Sequence, residues 1–172
     1  ITSEGFRWIL HLAEAWTPGP LFGWMIYEKP EPIAAVEDTR ALTERIGADG
    51  SVLQPLDAAG ARVAIAELRD RGVEAMTVSL VNSFANPEHE RAVATLVREE
   101  APTLPVSISS EVLPEFREYE RTVTTVVNAY VSPVLDRYLS NLRSGLEREG
   151  PAAELRVVRS DGGLMSLDSA RA

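Results

Sequence analysis

The sequence predicts an α/β protein built from βαβ units and followed by a long helical region. A strand pattern at Val73 to Val81, a helix pattern after Asn86-Pro87 and a short strand pattern at Val106 to Ser109 follow one another. In the order strand, helix, strand, the two strands pair in parallel through a right-handed crossover. From Tyr119 to Leu146, apolar residues then recur at helical spacing over about eight turns.

Composition restricts the class of protein. With 172 residues the chain fits one domain, or one domain and part of another. A content of 45% apolar and 25% charged residues is typical of a soluble globular protein. The net charge of -9 argues against a nucleic-acid partner, because phosphate binding depends on clustered Lys and Arg. No apolar run approaches the roughly 20 residues of a membrane helix and no leader pattern opens the chain, so we expect a cytoplasmic protein.

The start of the chain holds a helix pattern and then an irregular segment. Apolar residues recur at helical spacing from Thr2 to Ala15, which predicts a short helix. Because the chain begins at Ile1 rather than Met, we expect it to be a piece of a longer protein. Residues 16–35 mix Pro and Gly with large apolar side chains such as Trp24, which predicts an irregular apolar arm. The arm either lies on its own domain or docks missing sequence or another subunit.

The next two elements are a hairpin and a helix. Between Val36 and Leu56, weak alternation around an Asp49-Gly50 turn signal predicts a β-hairpin, whose first arm could instead be helical. Asp57 is a suitable N-cap for the following helix, and Gly72 stands where a left-handed C-cap would lie. The residues expected to point inward from this helix are Val63, Ala64, Ile65 and Leu68.

The crossover helix begins with Asn86 as N-cap and Pro87 in the first turn. We expect His89 to face solvent in that first turn. The residues expected to be buried further along the helix are Ala92, Val93, Leu96 and Val97.

A dense set of charges follows the second strand, within the stretch from Ser109 to Val131. In open parallel sheets, ligands gather at the carboxyl ends of the strands, where this stretch begins. Its arginines could hold a phosphate or carboxylate in a forked contact, and its carboxylates could position a metal ion or a water. Alternatively, the charges pair with each other and cap the helix. The residues proposed as catalytic are Glu115, Arg117, Glu118, Glu120 and Arg121.

The long helical region can be one helix or two, depending on Pro133. Inside a helix Pro removes a hydrogen bond, whereas at a first helical position it is tolerated, so we expect a kink or a restart there. Asn128 is interpreted as a hydrogen-bonding residue of the helix rather than a ligand. Leu155 to Val158 is a further candidate strand.

The Asp-Gly-Gly sequence after that strand allows two interpretations. Asp161, Gly162 and Gly163 can adopt backbone angles closed to other residues, and the N–H groups of the turn could face a phosphate, which makes these three the predicted cofactor-binding residues. A strand followed by Asp-Gly-Gly can also be a plain tight turn.

Metal and nucleophile chemistry have little support in the sequence. The absence of Cys excludes disulfides, thiolate metal sites and a Cys nucleophile. His11 and His89 are far apart in sequence, so no protein-held metal site is predicted. Ser83, Ser109 and Ser110 have no His nearby in sequence and no nucleophile elbow, so acyl-enzyme chemistry is not expected.

Several stretches, in this order along the chain, resemble the hydantoinase A and 5-oxoprolinase family. They are TSEGFR near the start, KPEP at Lys29 to Pro32, NSFANPEHE at Asn82 to Glu90, SSEVLPEFREYERTVTTVVNAYVSP at 109–133 and SDGGLMS at Ser160 to Ser166. The likeness runs through most of the chain. Only Ala13 to Tyr27 is atypical, being more apolar than expected for the family.

The resemblance implies an ATP-dependent enzyme with the two-domain, ribonuclease H-like fold shared by actin and sugar kinases. Its small-molecule substrate would be a cyclic amide such as a hydantoin or 5-oxoproline. ATP, with a divalent cation (Mg or Mn), would phosphorylate a carbonyl oxygen of that substrate. Related members carboxylate ketones, which leaves a ketone carboxylase subunit as an alternative. A hydantoinase B-type subunit or domain would be a partner, and a homo-oligomer is possible.

Placed on that fold, the chain would divide into three parts. Residues 1–118 would be the later part of the first α/β domain, 119–150 the connecting helices and 151–172 the start of a second α/β domain. The charged residues after the second strand would line or hinge the cleft between the domains. The family's Asp-x-Gly-Gly-Thr phosphate loops do not occur here, so the chain alone is expected to be inactive. A non-catalytic interaction domain that docks through the apolar arm is the third hypothesis.

Overall fold

The computed structural model describes residues 1–13, 30–150, 155–159, 161–167 and 169. Most of the predicted apolar arm therefore lies outside the described residues. The chain forms two compact units, Ile1–Ala129 and Tyr130–Ala172. The boundaries predicted at residues 118 and 150 stay predictions. Among the described residues, no helix is long and apolar enough to cross a membrane.

In the part of the first unit that the structure describes, there are six short strands. They are β1 (Thr2–Ser3), β2 (Ala41–Leu42), β3 (Arg45–Ile46), β4 (Val52–Gln54), β5 (Met76–Val78) and β6 (Val106–Ile108). Strands β1 and β2 are parallel, β5 and β6 are parallel, and a parallel bridge from Thr2 to Ser79 joins the two pairs. The strands β2, β1, β5 and β6 therefore lie side by side in that order.

Among the described residues, four helices lie entirely within the first unit. They are α1 (Ile9–Leu12), α2 (Ala58–Asp70), α3 (Glu88–Glu100) and α4 (Ser109–Val112), with a 3₁₀ turn at Val36–Asp38. A fifth helix, α5, covers Glu118–Glu149. The order β5, α3, β6 with parallel pairing confirms the predicted βαβ unit.

Helix α2 forms where the N-cap residue and the apolar spacing predict it. Asp57 Oδ1 accepts a hydrogen bond from Gly60 N at 3.0 Å, which satisfies one free donor of the first turn. Gly72 ends the helix with a φ of 79°, the left-handed conformation of a C-cap glycine. Ile65 and Leu68 are buried as predicted, but Val63 is 59% exposed, so its predicted inward position is wrong.

Helix α3 is also confirmed, with two corrections on its faces. The helix begins at Glu88 with Pro87 as its N-cap, so the prediction of Asn86 as N-cap and Pro87 in the first turn is wrong by one residue. Asn86 Oδ1 still accepts a hydrogen bond from Glu88 N at 3.0 Å. Val93 and Val97 are buried as predicted, whereas Ala92 is exposed. The prediction that His89 faces solvent is wrong, because the side chain is buried and its Nδ1 lies 2.7 Å from a carboxylate oxygen of Glu44.

The start of the chain differs from the prediction. Thr2 and Ser3 form strand β1 instead of the first turn of a helix, and within the described residues 1–13 the α-helix covers Ile9–Leu12. The parallel pairing with Ala41–Leu42 stabilises the strand more than the helical spacing of the apolar residues favours a helix. The strand gains main-chain hydrogen bonds such as Thr2 N to Arg40 O at 2.9 Å.

The predicted hairpin is confirmed for its second half. Strands β3 and β4 pair antiparallel around the Asp49-Gly50 turn, where Gly50 has a φ of 82°. The residues before them contribute a 3₁₀ turn at Val36–Asp38 and strand β2, which pairs with β1 instead.

A single apolar cluster fills the space between α2, α3 and the parallel strands. Its buried members are Leu42, Ala61, Ala64, Ile65, Leu68, Met76, Val78, Leu80, Val93, Ala94, Val97 and Ile108. The cluster fixes both strand-end connections after β5 and β6, which carry the polar groups of the candidate site.

The long helical region is one continuous helix with Pro133 inside it, so a restart at that residue is wrong. In the second unit, β7 (Arg156–Val158) and β8 (Leu164–Ser166) pair antiparallel. The strand predicted at Leu155 to Val158 is thereby confirmed, and the segment from Asp161 to Gly163 lies in the turn of a hairpin.

Candidate functional site

A buried carboxylate lies where the two parallel strands β5 and β6 end. Glu90, on the first turn of α3, has no exposed surface. Its Oε1 accepts hydrogen bonds from Leu80 N at 2.8 Å and from Ser109 Oγ at 2.5 Å, and its Oε2 accepts from Ser110 N at 2.8 Å. One side chain thus binds the connection after β5 and the connection after β6.

A buried guanidinium lies opposite this carboxylate. Arg121, on the first turn of α5, is 1% exposed and is the largest fully buried side chain among the described residues. Its guanidinium donates to Leu80 O at 2.8 Å and to Ser83 Oγ. Burial lowers the pKa of Arg121, and the negative charges of Glu90 and Glu118 oppose that shift. The side chain nevertheless stays protonated.

Two serine hydroxyls join the two charges. Ser83 Oγ and Ser109 Oγ lie 3.2 Å apart. Because a guanidinium can only donate and an ionised carboxylate can only accept, the hydroxyls are oriented in one direction. Arg121 donates to Ser83, Ser83 donates to Ser109, and Ser109 donates to Glu90. We call these four side chains, with the main chain of Leu80, the polar network.

Further bonds attach the start of α5 to the end of β5. Ser79 Oγ and Thr122 Oγ1 lie 2.7 Å apart, and both side chains are buried. Within α5 itself, Thr125 Oγ1 donates to Arg121 O at 2.6 Å. Further along, Asn128 Nδ2 donates to Ser107 Oγ at 3.2 Å, so its interpretation as a hydrogen-bonding residue is confirmed.

A second buried cluster is centred on Glu44. Its carboxylate contacts His89 Nδ1 at 2.7 Å and accepts from Ser3 Oγ, and all three residues are buried. Ser3 Oγ also accepts from Val81 N at 2.9 Å. The serine bonds to the carboxylate rather than to the histidine, so this is not the order that activates a serine nucleophile. The cluster links β1 to α3.

The predicted catalytic residues separate into two groups. Arg121 is part of the buried polar network, whereas Glu115 and Arg117 are exposed and Glu118 and Glu120 are half-buried. Arg117 donates to Glu120 Oε1 at 3.1 Å. The main-chain N–H of Glu120 and this hydrogen bond lower the pKa of Glu120 below its ordinary value. One predicted pairing within the charged stretch is thereby present.

The Asp-Gly-Gly segment is the turn between β7 and β8. Gly162 has a φ of 84°, its N–H donates to Arg159 O at 2.9 Å, and Gly163 N donates to Asp161 Oδ1 at 2.9 Å. Asp161 also pairs with Arg159 at 2.9 Å. The cofactor-binding role of Asp161, Gly162 and Gly163 stays a prediction.

Sequence reasoning missed most of the polar network. The sequence pattern presents Ser83 and Ser109 only as candidate nucleophiles, and the resemblance assigns no role to Glu90. A signal was present, because Glu90 stands three and seven residues before Val93 and Val97, on the face that the helix buries. An acidic residue on a buried helix face requires hydrogen-bond partners, so its position alone indicates a polar site.

The polar network is bonded mainly to the main chain. Both charges are buried, and their hydrogen bonds go to strand-end connections. The exposed groups able to contact a ligand are on the neighbouring segment from Glu115 to Glu120. Among the described residues, no three His, Asp or Glu side chains form a group that could hold a metal ion.

Parallel strands joined through a crossover helix, with a polar site at their carboxyl ends, define the class as an α/β protein. Residues 1–101 match the model of the hydantoinase/oxoprolinase N-terminal region, and residues 121–172 match the hydantoinase/oxoprolinase model. The chain belongs to the hydantoinase/oxoprolinase family, as the sequence resemblance predicts.

Three curated relatives illustrate the range of the family. The caprolactamase subunit alpha of Pseudomonas jessenii is 42% identical over 125 residues, which cover 73% of this chain and 18% of that protein. The acetophenone carboxylase gamma subunit of Aromatoleum aromaticum is 34% identical over 143 residues, covering 80% and 20%. The 5-oxoprolinase 1 of Arabidopsis thaliana is 34% identical over 113 residues, covering 66% and 9%.

Two solved structures are similar in fold. Nucleotide-free acetone carboxylase matches with a TM-score of 0.85 and 26% identity, over 96% of this chain and 25% of that one. The ATP-dependent caprolactamase from Pseudomonas jessenii matches with a TM-score of 0.82 and 34% identity, over 95% and 24%. The chain thus spans about a quarter or less of the length of these proteins.

Proposed function

We propose that this chain is part of an ATP-dependent enzyme that hydrolyses cyclic amides of the hydantoin or 5-oxoproline type. The observation that carries the proposal is the 42% identity to a caprolactamase subunit, together with the fold shared with an ATP-dependent caprolactamase. Hydantoins, 5-oxoproline and caprolactam all contain an amide bond within a ring. Hydrolysis of that bond is the reaction we assign to the full-length enzyme, in the cytoplasm.

We infer that the full-length enzyme has the two-domain fold of actin and sugar kinases. The parallel order of β2, β1, β5 and β6 supports this proposal. In parallel sheets, ligands bind at the carboxyl ends of the strands. We propose that Glu115, Arg117, Glu118 and Glu120 line the cleft between the domains. Their exposed or half-buried position directly after that sheet edge supports the assignment. Arg121 is buried and supports these residues indirectly, because it attaches the start of α5 to the polar network.

ATP and a divalent cation would supply phosphorylation of the amide oxygen when bound to the full-length enzyme. The described residues do not fit either group by themselves. In the Asp161 to Gly163 turn, the N–H groups of both glycines donate within the hairpin rather than outward. The charged stretch pairs Arg117 with Glu120. We therefore derive no step through ATP or the cation from this chain.

A second candidate function is ATP-dependent carboxylation of a ketone. It is favoured by the TM-score of 0.85 with acetone carboxylase and by the identity to an acetophenone carboxylase subunit. Several relatives are named as subunits, which supports a hydantoinase B-type partner for either reaction. The two candidates differ in their second substrate, which is water for the hydrolase and bicarbonate for the carboxylase.

The test uses the full-length gene product, purified with any co-encoded hydantoinase B-type subunit, in the presence of ATP and Mg²⁺ or Mn²⁺. ADP release would be measured with hydantoin, 5-oxoproline or caprolactam, and separately with acetone or acetophenone plus bicarbonate. Release that depends on the cyclic amide, with ring-opened product by mass spectrometry, is the expected result. Release that requires ketone and bicarbonate would replace the first proposal by the second, and release with neither would overturn both.

A further inference from the structure

Glu90 lies outside the charged stretch that forms the proposed cleft, yet it is bonded to the start of that stretch. It belongs to α3, while the proposed cleft residues lie between α4 and α5 (Glu115 and Arg117) and in the first turn of α5 (Glu118 and Glu120). Ser110 N and Ser109 Oγ both donate to its carboxylate. Those two residues begin the segment 109–117, which contains the proposed cleft residues Glu115 and Arg117.

The same carboxylate also fixes the connection after β5. Leu80 N donates to Glu90 Oε1, and Leu80 O accepts from Arg121. Arg121 stands one helical turn beyond the segment 109–117, and its N–H donates to Arg117 O at 3.0 Å. The segment is therefore held at its start by Glu90 and at its end by Arg121, with Leu80 as their common partner. Glu90 is thus bonded directly to the start of the segment and, through Leu80 and the two serines, to the residue that holds its end.

We propose that Glu90 is a positioning residue, which holds the segment 109–117 in place so that its exposed charges face the cleft. This inference rests on the proposed function for what the cleft does, and on the geometry alone for the positioning. Charges placed by a rigid support can orient a substrate, and a displacement of about 1 Å can cost about a hundredfold in rate. Glu90 itself does not contact the substrate.

A buried carboxylate is a poor means of stabilising a fold, which argues for a role beyond stability. Removing charged groups from water is costly, and well-packed apolar residues of similar volume are often as stabilising as a buried pair. What the carboxylate supplies is a fixed position for the donor groups that bind it. It accepts three hydrogen bonds from two separate connections at once, which an apolar side chain cannot do.

The test compares Glu90→Gln with Val93→Ala in the full-length gene product. In the first variant an amide NH₂ replaces one carboxylate oxygen, so one of the N–H groups of Leu80 and Ser110 faces a donor in place of an acceptor. Val93 is fully buried one turn further along α3, and its truncation destabilises the same helix while leaving the polar network intact. Melting temperatures are recorded so that both variants are studied while folded.

Two readouts separate positioning from stability. Hydrogen exchange of peptides that cover 109–117 is expected to accelerate at least tenfold in Glu90→Gln and to stay at the wild-type rate in Val93→Ala. With the cyclic amide as substrate, kcat is expected to fall about 10- to 100-fold in Glu90→Gln, with a smaller change in KM. Equal exchange rates and equal kcat in the two variants would overturn the proposal.

If Glu90→Gln does not fold, Ser109→Ala removes one of the three bonds and is expected to give a smaller acceleration of exchange in the same segment. If the wild-type protein turns over no cyclic amide, the proposed function fails, and the exchange experiment still decides the positioning role. Unchanged exchange of 109–117 in both Glu90→Gln and Ser109→Ala would then exclude it.

Discussion

Glu90 and Arg121 hold the main chain of Leu80 from opposite sides. The carboxylate accepts from Leu80 N and the guanidinium donates to Leu80 O, each at 2.8 Å. The side chains of Ser83 and Ser109 complete the connection between the two charges.

The two serines are expected to act as a unit. Ser83→Ala and Ser109→Ala each leave a buried group without its partner, so each should lower the free energy of unfolding by about 1–3 kcal/mol. Because the hydroxyls share one chain of hydrogen bonds, the double variant should lose less than the sum, with a coupling of about 0.5–3 kcal/mol. Urea unfolding of all three variants measures that coupling.

Ser110→Ala is the matched control for the serine pair. Ser110 Oγ is buried and has no hydrogen-bond partner in the described part of the chain, while its N–H is bonded to Glu90. Removal of this hydroxyl should leave stability unchanged or slightly raised. A loss as large as that of Ser109→Ala would contradict the assignment of hydrogen bonds within the network.

Arg121 and Arg117 are expected to differ strongly. Arg121→Ala removes the buried cation that is linked to Glu90 through the two serines, and it leaves Leu80 O and Ser83 Oγ without their donor. The loss should reach about 3–5 kcal/mol, the cost of an uncompensated buried charge. Arg117 is exposed, so Arg117→Ala should change the unfolding free energy by less than about 1 kcal/mol. Thermal or urea unfolding of the two variants checks the difference, and similar losses would exclude Arg121 as the main buried cation of the unit.

Helix α2 offers a comparison between its buried and exposed faces. Ile65→Ala opens a cavity in the apolar cluster and should cost about 2–5 kcal/mol. Val63 is two residues earlier and 59% exposed, so Val63→Ala should cost less than about 0.5 kcal/mol. Equal costs in urea unfolding would mean that α2 presents a different face to the cluster.

Substitution of two glycines by alanine is expected to change the stability of the protein in opposite directions. Gly72 has a φ of 79°, so Gly72→Ala places a side chain in the left-handed region and should destabilise by about 1 kcal/mol. Gly145 lies inside α5 with open space where a Cβ would be, so Gly145→Ala should raise helix stability by about 0.5–1 kcal/mol. Melting curves of both variants measure the expected loss of stability in Gly72→Ala and the expected gain in Gly145→Ala.

Removal of Arg117 should also change the titration of Glu120. The main-chain N–H of Glu120 and the Arg117 side chain both lower the pKa of Glu120, so Arg117→Ala should raise it part of the way to 4.5. A lowered pKa in the folded state adds stability that is present above the unfolded pKa and is lost as pH falls through the folded value. An NMR titration of the Glu120 carboxyl measures the shift, and an unchanged pKa would mean that the pair does not form in solution.

The sequence predicted those parts of the fold that depend on local patterns. Helix α2, the βαβ unit and the Asp49-Gly50 turn follow from capping residues, apolar spacing and turn residues, and each is present. Strand β1 could not be predicted in this way, because two residues carry no periodicity. Its conformation is decided by partners about 40 and 77 positions away, which no local pattern reveals.

The candidate site was predicted in its location but not in its composition. A strand end followed by charges indicated the place, and Arg121 was among the residues chosen. Of the charges close in sequence, Glu115 and Arg117 are exposed and Glu118 and Glu120 are half-buried. Arg121 is buried, and it is linked through Ser83 and Ser109 to Glu90. Such a network is assembled by the topology, so only the buried helix face of Glu90 could have indicated it.

The pairing of strand β1 also has a consequence for the order of folding. Ser3 is bonded to Val81, which lies 78 positions further along the chain. During synthesis at about 5–20 residues per second, β1 must therefore wait roughly 4–16 seconds for its second neighbour to leave the ribosome. Contacts so distant in sequence slow folding, because a long loop must close before they form. We expect the first strand to join last, after α2, β5, α3 and β6 have assembled around the apolar cluster.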